Sequence, residues 1–242
     1  MIPAIKAEFR KLFTVRSTYI TALLAFGLMV FFAFYVEGYK AAATVNDPHK
    51  LMGEVTSAVG VVSILATITV LLLMAHEYRY NTIMYTLTAS NSRTKILLAK
   101  IIAASTFAIG FTLLAGVLSP LLAYLGIQAK GLTLVPQEFY YWDLLWRCLF
   151  YGWGFAMFGL LLATLARNQV AAIAALFVLP STIEPLLGLL LKKNAIYLPI
   201  GSLSSVMEHN QISYVRAALV FSGYLVVGWI VAWLLFIRRD AN

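Results

Sequence analysis

Residues 76–100 read HEYRYNTIMYTLTASNSRTKILLAK and form a basic, polar segment between two apolar runs, each long enough to cross a membrane. The chain as a whole is apolar, with 62% hydrophobic residues, 12% charged residues and a mean hydropathy of +0.86. Soluble domains have roughly 45–50% apolar and about 25% charged residues. The composition therefore predicts a membrane protein in which this segment is a connection outside the bilayer.

Six runs meet the need for roughly 20 apolar residues to cross a hydrocarbon core about 30 Å thick. Backbone amides in lipid must find partners within their own segment, so each run predicts a helix and the fold class is all-α. The predicted spans are Thr18 to Val36, Val55 to Ala75, Ile96 to Gly126, Leu144 to Ala166, Val170 to Leu191 and Tyr214 to Ile237. The third run is long enough to tilt or break.

The positions of Lys and Arg predict the orientation, because positive charges near span ends stay in the cytoplasm. An even number of spans places both termini on one side. If that side is the cytoplasm, its segments carry the whole formal excess of +8, and the outside segments balance to zero. We therefore predict cytoplasmic termini, and we attribute the basic character to membrane topology rather than to nucleic-acid binding.

The amino-terminal segment, residues 1–16, has apolar residues at helical spacing and charged residues between them. Such a segment predicts an amphipathic helix in the membrane interface, either as a structural elbow or as a simple topogenic flank. The apolar positions are Ile2, Ile5, Phe9, Leu12 and Phe13.

Catalytic patterns are weak. His76-Glu77 begins a zinc-protease pattern, but Tyr80 stands where the second histidine is required. Ser202 and His209 suggest a nucleophile and a base, without a surrounding acid–base constellation. The sequence has no P-loop motif, so a P-loop nucleotide site is excluded and we predict no cofactor or metal in this chain.

Several residues within the apolar runs attract attention. Glu184 lies in an apolar stretch between Pro180 and Pro185, where a kink is expected, and it is either a solvated helix-end residue or a gate or cation contact. Phe31 and Phe34 in the first run face lipid, neighbouring helices or a cavity. In the fourth run, small residues at intervals of four, three and four predict close helix packing within the protomer; they are Gly152, Ala156, Gly159 and Ala163.

Taken together, the arrangement resembles the membrane subunit of ATP-binding cassette (ABC) transporters of the type-2 permease superfamily. The resemblance rests on the elbow AEFRKL (residues 7–12), the six spans, and EYRYNT (residues 77–82) followed by Thr86-Leu87, Ser92-Arg93 and Lys100. Two departures are Asn81, where glycine is usual, and Ser90-Asn91, where proline often occurs. Asn tolerates left-handed backbone angles, so the turn can survive the first change.

The resemblance implies a single permease domain (residues 1–242) that pairs with a second, identical or related, permease chain and with two copies of a separate ATPase. ATP and Mg²⁺ would be bound by that ATPase. Residues 76–97 would be the coupling loop and residues 184–213 an outer re-entrant or loop region. The implied coupling residues are Glu77, Arg79 and Arg93, which seat the loop on the ATPase, and Asn81 and Thr82, which shape its turn.

By the same analogy, spans one, two and five border the pathway and the dimer interface, with Phe31, Phe34 and Glu184 as pathway or gate residues. The predicted function is an ATP-driven exporter subunit, itself not an enzyme, in contact with the lipids of a prokaryotic cytoplasmic membrane. Its expected cargo is a hydrophobic or amphipathic compound, peptide or lipid. The alternatives are a non-transporting assembly factor, an intramembrane enzyme or an ion-coupled carrier.

Overall fold

The computed structural model describes residues 1–40, 57–88, 92–132, 141–207 and 212–238, and every regular element in these ranges is a helix. The α-helices are α1 (Ile2–Thr14), α2 (Arg16–Val30), α3 (Ser57–Arg79), α4 (Ile83–Thr88), α5 (Arg93–Ala129), α6 (Tyr141–Ala166), α7 (Gln169–Val178), α8 (Glu184–Leu191), α9 (Pro199–Met207) and α10 (Tyr214–Arg238). Helix α2 continues as a π-helix, Phe31–Lys40, and a 3₁₀-helix, Lys192–Tyr197, joins α8 to α9.

The prediction of six membrane-spanning helices is confirmed, since six helical stretches are long and apolar enough to cross a bilayer. They are Arg16–Lys40, Ala58–Arg79, Arg93–Ala129, Trp142–Ala166, Gln169–Tyr197 and Tyr214–Arg238. The third is one unbroken helix of 37 residues that contains Pro120. At about 1.5 Å per residue it is about 55 Å long, so it must tilt or project beyond a core of about 30 Å.

Helices α3, α5 and α6 form the centre of the bundle. The small-residue face of α6 packs there as predicted: Ala156 and Ala163 are fully buried. A Cβ atom on Gly152 would lie 1.9 Å from Cγ2 of Thr112 on α5, and one on Gly159 would lie 2.4 Å from Cγ2 of Thr67 on α3. The two glycines therefore allow three helices to approach closely.

The contacts between helix ends show which ends share a side of the membrane. Glu8 of α1 pairs with Lys100 near the start of α5, and Arg93 at that start donates to the carbonyl oxygen of Ile237 at the end of α10. Both described chain ends therefore lie on the same side. We call it the turn side, because it carries the turn between α3 and α4.

The fifth span changes its helical winding near Pro180, where the sequence predicted an irregularity. Helix α7 gives way to a π-helical turn, Leu179–Ile183, which contains Pro180, and helix α8 follows directly. Proline has no backbone N–H to continue the helix, which explains a local change of winding. The chain then turns back through the 3₁₀-helix and α9 on the side opposite to the turn side.

Candidate functional site

Four charged side chains from three helices meet on the turn side, and we call them the charge cluster: Glu8 and Lys11 of α1, Glu77 of α3 and Lys100 of α5. Lys100 is 0% exposed, Glu8 2% and Glu77 5%. Charged residues are almost never buried to this degree unless they are paired. Such burial therefore requires that these side chains find partners within the cluster.

Lys100 lies at the centre of the cluster. Its Nζ atom donates to Oε1 of Glu77 at 2.7 Å, to Oε2 of Glu8 at 2.9 Å and to the carbonyl oxygen of Leu73 at 3.5 Å. An ammonium group has three donors, and each finds an acceptor here. One lysine thus joins the end of α3, the start of α5 and the amino-terminal helix.

Lys11 closes the cluster from its exposed edge, where its Nζ atom donates to Oε1 of Glu8 at 2.8 Å and to Oε1 of Glu77. Burial lowers the pKa of Lys11, but the carboxylates of Glu77 and Glu8 outweigh this effect and hold the pKa above its usual value of 10.5. Two acids and two bases make the cluster formally neutral, which limits the cost of burying it.

A well-formed turn follows Glu77. The backbone N–H of Thr82 donates to the carbonyl oxygen of Glu77 at 2.9 Å, and the N–H of Asn81 donates to the carbonyl oxygen of Tyr78 at 3.4 Å. These two bonds define a Schellman motif, which ends a helix with one residue in the left-handed conformation. That residue is Asn81, with φ of 53°. The structure thus places Asn where the left-handed angle is needed.

The turn leads into helix α4, whose outer surface is apolar and exposed. Tyr80 is 62% exposed, Met84 46% and Tyr85 76%, while Ile83 is buried against the bundle. We call Tyr80, Met84 and Tyr85 the α4 surface. Exposed aromatic and Met side chains outside a bilayer are typical of a surface that binds another protein.

The two predicted coupling arginines occupy different places. Nη1 of Arg79 donates to Oε1 of Gln169 at 3.2 Å, so it bridges the ends of α3 and α7, and its guanidinium lies 5.4 Å from the ring of Tyr80. Nη1 of Arg93 donates to the carbonyl oxygens of Phe236 and Ile237, at 3.4 and 3.1 Å. Arg93 therefore caps the carboxyl end of α10, where a cation is favoured by the helix dipole.

The predicted pathway residues lie away from this cluster. Phe31 is half exposed and stacks on Tyr35 with ring centroids 5.6 Å apart, and Phe34 is partly buried in the same π-helix. Glu184 lies on the opposite side of the membrane. Its Oε1 and Oε2 atoms accept from the backbone N–H groups of Ile200 and Gly201, at 2.6 and 2.9 Å. Glu184 thus holds α8 against the amino-terminal end of α9, where a carboxylate is favoured.

The sequence pattern separates charged from apolar positions on the elbow and does not connect Glu8 with Lys100. The structure instead turns Glu8 inward, whereas apolar Ile2 is 80% exposed. A signal was present, because Lys100 lies inside the predicted third span, and a charge within a span requires a partner. No pattern in the sequence says which acid provides it.

The hydroxyl of Ser202 is occupied in the interior, since it donates to the carbonyl oxygen of Pro199 at 2.9 Å. His209 lies outside the described residues, as do Ser90 and Asn91. Among the residues that are described, no group of three or more His, Cys, Asp or Glu side chains could hold a metal ion.

The described part of the chain thus combines six helices long and apolar enough to cross a membrane with a further helix at the amino terminus. Residues 4–182 match the sequence model of a family described as ABC-2 family transporter protein, which is more than half of the chain. The chain therefore belongs to the ABC-2 transporter family and is a multi-pass membrane protein. No curated protein matches it.

Proposed function

We propose that this chain is the membrane-spanning subunit of an ATP-driven exporter in a prokaryotic cytoplasmic membrane. Two permease chains form the translocation pathway, and separate ATPase subunits bind the turn side, which faces the cytoplasm. The cargo is a hydrophobic or amphipathic compound, peptide or lipid. Membership of the ABC-2 family supports this proposal.

One observation carries the proposal furthest: an exposed apolar surface is attached directly to a buried charge cluster. The α4 surface begins at Tyr80, three residues after Glu77, and the Schellman motif fixes the path between them. A protein that binds this surface would act on a rigid part of the bundle rather than on a free loop. This is the arrangement that coupling to an ATPase requires.

The geometry suggests how movement of the ATPase would reach the membrane helices. A displacement of α4 passes through the turn to α3 at Glu77, and from there through Lys100 to α5. Glu8 carries the same displacement to α1. In this proposal Glu77 is a positioning residue that acts through its lysine partners.

The remaining coupling residues have complementary roles in the proposal. Asn81 and Thr82 shape the turn, while Arg79 lies beside the α4 surface and supplies positive charge for an acidic patch of the ATPase. Arg93 joins the start of α5 to the end of α10, so displacement of α5 also reaches the sixth span.

The second permease chain, identical or related, would cover the first and fifth spans, whose surfaces are mostly exposed. In such a pair Phe31 and Phe34 lie beside the pathway. Glu184 would act as an outer gate residue, because breaking its two backbone contacts would free α9 from α8.

The first test is affinity purification of the tagged chain from gently solubilised membranes, with mass spectrometry of the proteins that co-purify. We expect an ABC ATPase in stoichiometric amount. Reproducible absence of such an ATPase from well-folded protein would count against the proposal and favour a stand-alone membrane protein.

A sharper test removes one side chain from the α4 surface. We expect Tyr85→Ala to weaken retention of the ATPase and to lower transport-linked ATP hydrolysis, since interface aromatic residues typically contribute about 1–2 kcal/mol or more. Trp142→Ala is the matched control, because Trp142 is 79% exposed on the opposite side. Equal behaviour of the two variants would place the ATPase contact elsewhere.

A further inference from the structure

A lateral crevice of about 520 Å³ opens between α5, α6 and α10 on the turn-side half of the bundle. Its wall is almost entirely apolar and includes Leu97 of α5, Met157 of α6 and three tryptophans, Trp153, Trp229 and Trp233. The volume lies within the range of about 300–1,000 Å³ that is usual for ligand sites. None of the coupling or gate residues discussed above lines it.

Two of the tryptophans at the wall have their indole N–H groups paired within the protein. The indole Nε1–H of Trp153 donates to Oγ of Ser105 at 3.1 Å, and that of Trp233 donates to Oγ1 of Thr94 at 3.3 Å. An occupant of the crevice therefore meets ring faces and aliphatic groups. This favours a hydrocarbon chain over a polar molecule.

The length and depth of the crevice match one leaflet of a bilayer. Along α10 its wall runs from Ser222 to Trp233, close to the turn-side end of that helix. At about 1.5 Å per residue this distance is about 16 Å, roughly half of a hydrocarbon core about 30 Å thick. The crevice is thus immersed in the turn-side leaflet, and it opens sideways to the acyl chains of that leaflet.

The turn-side end of the crevice is positively charged. Arg93 precedes the wall residue Thr94, and its guanidinium reaches the carbonyl oxygens of Phe236 and Ile237 at the end of α10. Guanidinium groups bind phosphate strongly, and cations near a membrane surface attract anionic lipids. A headgroup at this end would therefore be an anionic one.

We propose that the crevice binds one anionic phospholipid of the turn-side leaflet, with an acyl chain along α10 and its phosphate beside Arg93. The site holds a structural lipid between the third, fourth and sixth spans. It requires neither an ATPase nor transport, so its test is independent of the proposed exporter function.

The experiment uses native mass spectrometry of the full chain after equilibration with vesicles of equal parts phosphatidylglycerol and phosphatidylcholine. We expect one retained lipid, mainly phosphatidylglycerol. Val226→Trp fills the crevice and should lower the retained fraction about fivefold or more, because the occupant loses its apolar contacts. Val227→Trp is the control, since Val227 is 63% exposed on the same helix but does not line the crevice.

If Val226→Trp does not fold, a second pair of variants replaces it. Ile230 lines the crevice and Val231 does not, so the lipid retained by Ile230→Trp is compared with that retained by Val231→Trp. For the headgroup, Arg93→Gln should reduce the preference for phosphatidylglycerol about fivefold, as one cation near the surface contributes about that much. Lys95→Gln should not, because Lys95 faces the cavity between α1 and α5.

The proposal is overturned if the wild-type chain retains no lipid, or if both members of each pair retain it equally. It is also overturned if a second copy of the chain fills the crevice. A Val226→Cys variant tests this, since Cys148, the chain's only cysteine, is buried. A disulfide-linked pair formed by that variant in membranes would assign the crevice to a protein interface.

Discussion

Replacing Lys100 with methionine tests the charge cluster directly. Methionine keeps the length and apolar stem of lysine but leaves Glu8 and Glu77, both almost fully buried, with Lys11 as their remaining cation in the cluster. Removing one partner from a buried ionic network typically costs about 3–5 kcal/mol of stability. Lys100→Met should therefore be among the most destabilising single substitutions in the described part of the chain.

The size of the loss also has an upper bound that depends on pH. Instead of keeping two poorly compensated carboxylates, the variant can protonate one of them. For a glutamic acid of ordinary pKa this costs about 3.7 kcal/mol at pH 7 and about 1 kcal/mol at pH 5. The deficit of Lys100→Met relative to wild type should therefore be large at pH 7 and shrink as the pH falls.

The assay is thermal unfolding of the purified chain in detergent, followed by tryptophan fluorescence. With about 2–4 °C per kcal/mol for a chain of this length, the melting temperature at pH 7 should fall by about 6–15 °C. The double variant Lys100→Met, Glu77→Gln should recover most of this loss, because it restores the balance of one acid and one base. Lys95→Met, at an exposed position of the same helix, is the matched control. If Lys100→Met and Lys95→Met melt at the same temperature, the cluster does not hold the helices together.

Three further outcomes follow from the structure. Lys11→Gln should lower the melting temperature at pH values below about 10.5. Because the folded-state pKa of Lys11 is raised above 10.5, the stability that Lys11 contributes is lost as the pH rises through the folded-state pKa. Melting curves of wild type and variant across that pH range check this expectation. Asn81→Gly should leave the melting temperature within a few degrees of wild type, whereas Asn81→Val should lower it by an amount equivalent to about 1–2 kcal/mol, because a β-branched residue resists a φ of 53°. Gly152→Val should prevent close packing of α6 on Thr112 and destabilise the chain by about 1–3 kcal/mol. The double variant Gly152→Val, Thr112→Ala should recover part of this loss. An unchanged melting temperature of Gly152→Val would contradict the packing argument.

The membrane spans were predictable because a single physical requirement, burial of paired backbone in hydrocarbon, determines them. The predicted spans agree with the observed helices to within a few residues at most of their ends. The change of winding at Pro180 and the close packing at Gly152 were equally accessible, since proline and small residues leave a local signal in the sequence. The sequence near each residue indicates these features, although it does not identify Thr112 as the neighbour of Gly152.

The charge cluster could not be predicted in the same way, because its members are separated by up to 92 residues. The amphipathic pattern of α1 separates charged from apolar positions but does not single out Glu8 as a residue that turns inward. Two considerations compete there: solvation favours an exposed carboxylate, but the buried cation of Lys100 requires a partner. The second prevails in the structure, and the sequence alone does not reveal which acid comes within reach.

The charge cluster also has a consequence for the biosynthesis of the chain. Glu8 and Lys11 leave the ribosome first, Glu77 follows about 70 residues later, and Lys100 emerges last. Until the third span enters the membrane, Lys11 is the only cluster cation that can pair with Glu8 and Glu77. When the third span enters, Lys100 can pair with these acids only if the amino-terminal helix and the second span are still close to it. We therefore expect the amino-terminal helix, the second span and the third span to assemble together, because a nascent chain that ends before Lys100 lacks the residue that joins them.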